Sequence, residues 1–423
     1  MKVVLINHSD RLGGAAVVTY RLMHALRRAG VDTRMLTFFK TSEDENVTEA
    51  CRRNKRTALF LAERGCIFMS NGFSKKNLFK VSIANTGLPL HKHRWVQEAD
   101  VIVLNWINQG MLSLEGIRRL AQLGKPIVWT MHDMWCMTGI CHHAHECERY
   151  KQSCGCCPYV YQGAVRTDIS RIVWKQKKEL YNEIGLQFVA VSNWLAQLGR
   201  ESTLLSKQNV KVIPNAFPID FYMTGATSPV KEFNIDYTKN LIVMGAARLD
   251  DPIKGINYAV DAFNYLADKY PDEAKDCVAV LFGDIRDKSI LERIRLPYRH
   301  LGRINDPKLL RQLYASSKVV ISTSLYETLP GTLIEGQAAG CVPVTFGKGG
   351  QRDIIDHKIN GYIAEYKSYK DIVEGIRWAL KNAPDRNMLH DEVKRRFSAD
   401  VIARRYIDLF TSLLKEKENK KDK

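Results

Sequence analysis

Short apolar runs alternate with stretches of helical periodicity from one end of the chain to the other. The runs of the first half are KVVLINH, TRMLTFF, VIVLNW, PIVWTMH and QFVAVS, and those of the second half are NLIVMGA, CVAVLFGD, KVVISTS and CVPVTFG. Between the first two runs, Leu22, Ala25 and Leu26 share one helical face, and Gly30 then ends the helix. Strands that alternate with helices are typical of folds with parallel sheets. The pattern therefore predicts an α/β protein.

The same alternation occurs in both halves of the chain. Its 423 residues exceed the size of one ordinary hydrophobic core, and the proline-containing segment VKVIPNAFPIDFY separates the halves. We therefore predict one α/β domain over residues 1–213 and a second over residues 214–396. Residues 397–423 are predicted to form a helix that packs back on the N-terminal domain, followed by a charged tail. The chain starts with a strand pattern rather than a secretion signal, which predicts a cytoplasmic protein.

The stretch YETLPGTLIEGQAAGCVPVTF predicts a helix that begins close to Pro330 and ends before Gly340. The backbone N–H groups of residues 328–332 would lie at the positive end of the helix dipole and form an anion site. Glu327 precedes this site, and Glu335, inside the helix, is placed to reach the hydroxyl groups of a ribose. Two glutamates around a helix start are also typical of a solvated cap, and that alternative stays open at this point.

Two further loops have the features of phosphate sites. The stretch GAARLDDPIKGI places Arg248 and Lys254 after a strand, where arginine binds phosphate oxygens as a planar fork and lysine as a point charge. The stretch RLGGAAVVTY places Gly13 and Gly14 between the first strand and the first helix, where a bare backbone allows close approach of a phosphate. These loops favour an anionic ligand bound by residues from both domains.

These features together resemble the retaining glycosyltransferases of family 4, also described as glycosyl transferases group 1. The resemblance rests on the early glycine pair, the spacing of Arg248 and Lys254, and the Glu327-x7-Glu335 pair followed by AAGCVP. The motifs MHD, VSNW, IPN, GGQRDII and NGYI also occur in the family's order, so the resemblance covers nearly the whole chain. It implies the GT-B fold, in which two Rossmann-like, doubly wound parallel-sheet domains face each other across a cleft. The N-terminal domain would bind the acceptor and the C-terminal domain the nucleotide sugar.

The resemblance implies transfer of a sugar, with retention at the anomeric carbon, from a nucleotide diphosphate sugar to a saccharide or lipid-linked acceptor in surface polysaccharide synthesis. Arg248 and Lys254 would hold the donor diphosphate. Glu335 would bind the ribose, and Glu327 the donor sugar. His132 resembles the family's histidine near the acceptor hydroxyl, and the alternative is a strand-end histidine with satisfied hydrogen bonds. The implied catalytic residues are His132, Arg248, Lys254 and Glu327, and the implied donor-binding residues are Gly13, Gly14, Arg248, Lys254, Glu327, Thr328, Leu329, Pro330, Gly331, Thr332 and Glu335.

A departing diphosphate needs its developing charge neutralised. Two cations and a helix N-terminus supply this, and no Asp-x-Asp motif suited to Mg²⁺ stands at a strand end. We therefore predict that catalysis requires no cofactor. The alternatives with the same fold are a nucleotide-sugar epimerase, a phosphorylase, which would normally need pyridoxal phosphate, and a scaffold without turnover. The presence of all four charged residues of the donor-site motifs argues against a scaffold without turnover. These residues are Arg248, Lys254, Glu327 and Glu335.

Six of the ten cysteines lie between Cys136 and Cys157. Within this insert, residues 136–158, the spacing Cys141-x5-Cys147-x6-Cys154-x2-Cys157 offers four thiolates, the last two at the spacing of zinc knuckles. We predict a structural zinc at these four residues, in a loop on the acceptor side. A catalytic zinc is not expected, because four thiolates leave no open coordination position. The alternatives are reduced buried thiols and a disulfide or redox pair.

The net charge of +17, from 63 basic and 46 acidic residues, predicts an anionic partner. Residues 52–80 contain eight basic residues and one acid, Glu63, interleaved with Leu, Ile and Phe. Such a segment is typical of a surface on anionic lipid or of a nucleic-acid site, and the plain alternative is a helical hairpin with its apolar residues packed inward. Because many sugar acceptors are lipid-linked, we predict peripheral contact with the anionic inner face of a membrane and no nucleic-acid partner.

Overall fold

The computed structural model describes residues 1–160, 167–222 and 230–421. They form two compact units, one containing Met1–Ala216 with the chain from Ala399 onward, and the other containing Phe217–Ser398. Each unit is built around a parallel sheet, so the predicted α/β class with two parallel sheets is confirmed. Within these described stretches, no helix has both the length and the apolar character needed to cross a membrane.

The first unit contains a seven-stranded parallel sheet in the order β3-β2-β1-β4-β5-β6-β7. The order reverses between β1 and β4, and ligands of such sheets bind at the carboxyl ends of the strands where this reversal occurs. The strands are β1 (Lys2–Ser9), β2 (Asp32–Phe39), β3 (Val47–Glu49), β4 (Val101–Leu104), β5 (Ile127–Met131), β6 (Gln187–Ala190) and β7 (Asn209–Val212).

Helices connect these strands, as the alternating pattern predicts. The first helix buries Leu22, Met23 and Leu26, so its apolar face is the one that the sequence periodicity indicates. Short 3₁₀ segments at Leu90–Lys92, Trp135–Met137 and Arg149–Lys151 occur in the longer connections. The helices up to Ala216 are α1 (Gly14–Arg28), α2 (Arg53–Ser70), α3 (Arg94–Glu98), α4 (Leu114–Ala121), α5 (Ile169–Glu183) and α6 (Asn193–Glu201).

The second unit contains a six-stranded parallel sheet in the order β10-β9-β8-β11-β12-β13. Its strands are β8 (Asn240–Arg248), β9 (Cys277–Asp284), β10 (Tyr298–His300), β11 (Val319–Ser322), β12 (Val342–Phe346) and β13 (Tyr362–Ala364). Its helices are α7 (Ile219–Tyr222), α8 (Ile256–Lys269), α9 (Pro271–Ala274), α10 (Ser289–Glu292), α11 (Pro307–Ser316), α12 (Gly331–Ala338), α13 (Tyr369–Lys381) and α14 (Arg386–Phe397). Phe263 of α8, Ile376 of α13 and Val344 of β12 belong to one buried apolar cluster, which is the core of this unit.

The last helix, α15 (Ala399–Lys421), returns to the first unit. Its residues Tyr406 and Phe410 are buried in the same apolar cluster as Leu22 of α1. The hydroxyl groups of Tyr406 and Thr130 share a hydrogen bond of 3.0 Å, which joins α15 to strand β5. The helix therefore completes the hydrophobic core of the first unit.

We expect the substitution Phe410→Ala to lower the free energy of unfolding of the first unit by about 3–5 kcal/mol, because it leaves a cavity at a fully buried site. Urea denaturation followed by circular dichroism measures this effect. Thr411→Ala, at the neighbouring exposed position, is the control and is expected to change stability by less than about 0.5 kcal/mol. Equal effects of the two substitutions would contradict the assignment of α15 to this core.

Candidate active site

Two loops at the carboxyl ends of neighbouring strands form the candidate site of the second unit. Strands β8 and β11 are adjacent and parallel, with Ile321 opposite Met244, and the strand order reverses between them. β8 ends at Arg248, and Lys254 follows in the loop that leads to α8. Glu327 lies in the loop between β11 and α12. Because parallel strands end at the same edge of the sheet, these residues share one crevice.

Hydrogen bonds join the two loops directly. The Leu325 N–H donates to the carbonyl oxygen of Ile253 at 2.8 Å, and the Thr323 hydroxyl donates to the carbonyl oxygen of Gly255 at 2.9 Å. Gly255 has a φ of 62°, and a Cβ atom at this position would lie 2.2 Å from the Thr323 carbonyl oxygen. This approach therefore requires glycine, and it fixes the backbone of the preceding Lys254.

Lys254 and Glu327 form an ion pair between the two loops. The Nζ atom of Lys254 contacts Oε1 of Glu327, and the Ser324 hydroxyl donates to the same oxygen at 3.0 Å. The two charged side chains keep 27% and 22% of their surface exposed, so a ligand has access to both. The structure thus brings together two of the residues that the sequence predicts as catalytic.

Arg248 pairs with the acidic residues of its own loop. Its guanidinium lies 3.2 Å from the carboxylate of Asp251 and 3.5 Å from that of Asp250. Asp250 also accepts a hydrogen bond of 2.9 Å from the Arg286 N–H, so this aspartate shapes the loop as well as orienting the arginine. In this structure Arg248 therefore stands beside these aspartates rather than beside Glu327.

The start of α12 supplies backbone donors to the same loop. The helix begins at Gly331 after Pro330, and no side chain caps it. The first N–H groups of a helix have no acceptor within the helix and lie at the positive end of its dipole, so they are suited to bind an anion. Of the five residues predicted to form the anion site, Thr328, Gly331 and Thr332 are partly exposed, and Leu329 and Pro330 are buried.

Glu335 lies in the second turn of α12. Only 8% of its surface is exposed, so its carboxylate offers a ligand a small accessible area. The residue is in the predicted helix, and its proposed contact with a ribose remains a prediction.

A glycine pair that our sequence analysis left without a role positions Glu327. The Gly350 N–H donates to the carbonyl oxygen of Glu327 at 2.8 Å. Gly349 has a φ of 111°, and a Cβ atom there would lie 2.6 Å from the same carbonyl oxygen, so only glycine is tolerated. The available signal was the position of this pair after the apolar run of β12, where a strand end meets a ligand site.

In the first unit, Gly13 directly precedes α1 and Gly14 is the first residue of this helix. Gly13 has a φ of 94°, and no side chain caps α1. A Cβ atom built at either glycine would meet no other atom within 4 Å, so the backbone at this helix start is open to solvent. The predicted phosphate contacts from this loop are compatible with that exposure and remain predictions.

His132 directly follows β5 at the carboxyl edge of the first sheet. Its Nε2 donates to Oδ1 of Asn105 at 3.1 Å, which leaves the lone pair on Nδ1. Burial lowers the pKa of His132 to about 4, because a charged imidazolium would lose its hydration. The ring is therefore neutral at pH 7 and is able to accept a hydrogen bond from a ligand.

Asp133, the next residue, belongs to a hydrogen-bond network that the sequence analysis missed. Its Oδ2 accepts from Nε1 of Trp106 at 2.9 Å and from Nδ1 of His142 at 2.7 Å. His142 in turn shares a hydrogen bond of 3.1 Å with the Ser82 hydroxyl. Burial alone would raise the pKa of Asp133, but attraction to His142 and its hydrogen bond lower this pKa to about 2. The cysteine-rich insert therefore contributes His142 to the surroundings of His132, and the spacing of these residues gave no signal of it.

The four cysteines of the predicted zinc site, Cys141, Cys147, Cys154 and Cys157, line one cavity. Among the described residues, however, no group of three or more His, Cys, Asp or Glu side chains is arranged to hold a metal ion. All ten cysteines lie in described segments and are free thiols. Burial raises the pKa of the Cys157 thiol to about 11, because a thiolate would lose its hydration. The arrangement of the described residues therefore does not support the predicted zinc site at these four cysteines.

Two family descriptions match the chain. The family described as Glycosyltransferase Family 4 matches residues 12–221. The family described as Glycosyl transferases group 1 matches residues 230–396. Together the two matches cover both structural units, and the second match contains the whole Lys254–Glu327 site.

Curated relatives include putative and uncharacterised glycosyltransferases. Over an alignment of 211 residues, the chain is 34% identical to the putative colanic acid biosynthesis glycosyl transferase WcaC of Escherichia coli K12, and the alignment covers 46% of this chain and 50% of that protein. A stretch of 167 residues, 37% of this chain, is 30% identical to an uncharacterized glycosyltransferase of Methanocaldococcus jannaschii and covers 41% of it. The matches thus span half of these relatives' length or less.

Solved structures show a similar fold over nearly the whole chain. The structure of Anabaena Alr3699/HepE in complex with UDP and glucose aligns with a TM-score of 0.64 at 16% identity, covering 97% of this chain and all of that one. Sucrose-phosphate synthase from Thermosynechococcus elongatus aligns with a TM-score of 0.65 at 16% identity, covering 98% of this chain and all of that one. At this identity the likeness concerns the fold.

We expect the substitution His142→Ala to lower the free energy of unfolding by about 1–3 kcal/mol, because it deprives the Asp133 carboxylate of one of its hydrogen-bond donors. Urea denaturation at neutral pH measures this loss. Gln152→Ala, at an exposed position of the same insert, serves as the control and is expected to stay within about 0.5 kcal/mol of the unsubstituted protein. A similarly small effect of His142→Ala would mean that the insert does not stabilise Asp133.

Proposed function

The chain belongs to glycosyltransferase family 4, with the GT-B fold, and we propose that it transfers a sugar from a nucleotide diphosphate sugar to an acceptor hydroxyl with retention at the anomeric carbon. The observation that carries the proposal is the pair of Lys254 and Glu327 between the loops that follow β8 and β11. The loop that contains Glu327 leads to the start of α12, which no side chain caps. A partly exposed lysine and free helix N–H groups at the switch point of a parallel sheet suit a diphosphate.

In this proposal, the protein neutralises the charge that develops on the departing nucleoside diphosphate. Lys254 provides a point charge, Arg248 provides a planar fork, and the first turn of α12 provides backbone donors. Positioned charges of this kind act on the transition state because charge accumulates on the leaving oxygens as the glycosidic bond breaks. Glu327, which holds Lys254 when no ligand is bound, would then contact the donor sugar. Glu335 would bind the ribose.

We propose that the nucleotide is a diphosphate of the UDP class. The HepE structures, which share this fold, are described as complexes with UDP and glucose and with UDP-glucose. In the first unit, the open loop at Gly13 and Gly14 would approach the diphosphate, and His132 would face the transferred sugar and the acceptor hydroxyl. The neutral ring of His132 suits a hydrogen-bond role there.

We propose a saccharide or lipid-linked acceptor in the synthesis of a surface polysaccharide. WcaC is described as a putative colanic acid biosynthesis enzyme, and WaaG, a further structure with this fold, as involved in lipopolysaccharide biosynthesis. The ten free thiols favour a reducing compartment, so we place the reaction in the cytoplasm, at the inner face of a membrane.

We expect the substitution Lys254→Ala to lower kcat for donor turnover by about 100- to 1,000-fold, because one positioned charge at a leaving group contributes roughly 2.7–4 kcal/mol. The measurement is release of nucleoside diphosphate from a panel of nucleotide sugars, first in the absence of acceptor. Lys275→Ala, at a surface lysine of the same unit that pairs with Asp272, is the matched control and is expected to keep the full rate. A near-normal rate for correctly folded Lys254→Ala protein would remove the basis of the proposal.

We expect protonation of His132 to have no effect on the pH profile of kcat/KM between about pH 6 and 8. Its pKa is lowered to about 4, so the ring is neutral throughout this range and becomes charged only as the pH falls through about 4. The profiles of the unsubstituted protein and of His132→Gln should have the same shape above pH 6. An inflection close to pH 6.5 in the profile of the unsubstituted protein that is absent from the profile of His132→Gln would contradict the neutral state of His132.

A further inference from the structure

The first unit has an exposed surface that the proposed chemistry does not use. Here the 52–80 surface denotes the exposed side chains of residues 52–80, on α2 and in the loop that follows it. The inner side of α2 is packed, since Arg56, Glu63 and Ile67 are buried. Arg56 donates to the Phe38 carbonyl oxygen at 2.7 Å, which fixes the orientation of the helix. The opposite side of the helix therefore faces solvent.

Large apolar side chains are concentrated on this surface. Of the nine large apolar residues that are exposed in the described parts of the chain, four belong to it. They are Leu61 and Met69, each 58% exposed, Phe73, 71% exposed, and Phe79, 62% exposed. The solvent side of a helix in a globular protein is normally polar, and a concentration of exposed apolar side chains marks an interaction site.

The two phenylalanines are held in outward positions. Phe73 has a φ of 58°, a conformation that is rare for a bulky residue and that is retained mainly where it serves a function. Its ring packs edge-on against Phe68, with centroids 5.7 Å apart. The ring of Phe79 stacks on Phe60, with centroids 6.3 Å apart. The exposure of these rings is therefore part of the folded structure.

The charge on this surface has one sign. The single acid of the segment, Glu63, is fully buried and accepts backbone hydrogen bonds from Ile83 at 2.8 Å and Ala84 at 3.0 Å. Its charge is therefore hidden from solvent. The exposed charged residues of the segment are all basic, namely Arg52, Arg53, Lys55, Lys75, Lys76 and Lys80.

We propose that the 52–80 surface docks the protein on a bilayer that contains anionic lipid. Lysine and arginine side chains are attracted to anionic headgroups, and apolar side chains on one face of a helix enter the boundary between headgroups and acyl chains. Both features occur together among the exposed side chains of residues 52–80, which include no acid. Leu61 and Met69 have no use in binding a nucleic acid, which takes stacking aromatic and basic groups.

The surface is connected to the surroundings of His132 within the same unit. The His142 N–H donates to the carbonyl oxygen of Lys80 at 3.2 Å, and the Ser82 N–H donates to that of Ile140 at 2.8 Å. His142 holds Asp133, the neighbour of His132. Docking would therefore hold the proposed acceptor side of the unit close to the lipid. This part of the inference rests on the proposed function, whereas the docking itself does not.

Flotation of the full-length protein with lipid vesicles tests the inference. We expect binding to vesicles that contain phosphatidylglycerol, at least about tenfold weaker binding to vesicles of phosphatidylcholine alone, and loss of binding at high salt. The double substitution Lys75→Glu with Lys76→Glu is expected to weaken binding at least about tenfold. Leu61→Ser with Phe73→Ser is expected to weaken it comparably, since these apolar side chains would enter the interface.

Matched control substitutions lie on the second unit. They are Lys275→Glu with Lys308→Glu for the charge, and Ile359→Ser, whose parent side chain is 65% exposed, for the apolar contact. Both are expected to bind like the unsubstituted protein. Absence of binding to anionic vesicles, equal binding to both lipid compositions, or unchanged binding of the 52–80 variants would each overturn the inference. Because flotation uses neither donor nor acceptor, and because the Lys75 and Lys76 variant should keep its turnover of donor, failure of docking and failure of the proposed function are separable.

Discussion

The ion pair between Lys254 and Glu327 is the interaction on which the candidate site of the second unit depends. It links the loops after two neighbouring parallel strands, and Gly255, Thr323 and Ser324 hold both partners in place. A lysine in this position would otherwise be a mobile cation with several rotamers to lose on binding. With Glu327 as partner, the ammonium group is already positioned when a diphosphate arrives. Lys254 then exchanges one anionic partner, Glu327, for another, the diphosphate. Binding therefore does not have to order a free side chain.

The proximity of Lys254 and Glu327 was predictable because local chemistry and strand order together determine it. Lys254 and Glu327 are 73 residues apart, yet each follows an apolar run, and adjacent parallel strands bring their loops together. The network of Asp133, His142 and Ser82 had no such signal, because His142 comes from an irregular insert whose path no periodicity describes. The same is true of Gly349, whose role depends on how closely its backbone approaches the Glu327 carbonyl.

The cysteine-rich insert shows the limit of motif spacing. Four thiols at a spacing typical of zinc sites do line a common cavity, but the described residues offer no metal-binding arrangement. The contacts of His142 with Asp133 and Ser82 give this insert a different structural role, in which a hydrogen-bond network rather than a metal ties it to the sheet. Spacing alone does not distinguish these two ways of holding a loop.

The return of α15 to the first unit has a consequence for biosynthesis. The N-terminal unit buries Leu22 and its neighbours against residues of α15, which are translated after the whole second unit. Folding during synthesis usually proceeds domain by domain from the N-terminus. Here the core of the first unit stays incomplete on the ribosome until the second unit and then α15 have emerged. During this time its uncovered apolar surface is prone to aggregation. A chain that terminates before α15 would leave the core of the first unit incomplete.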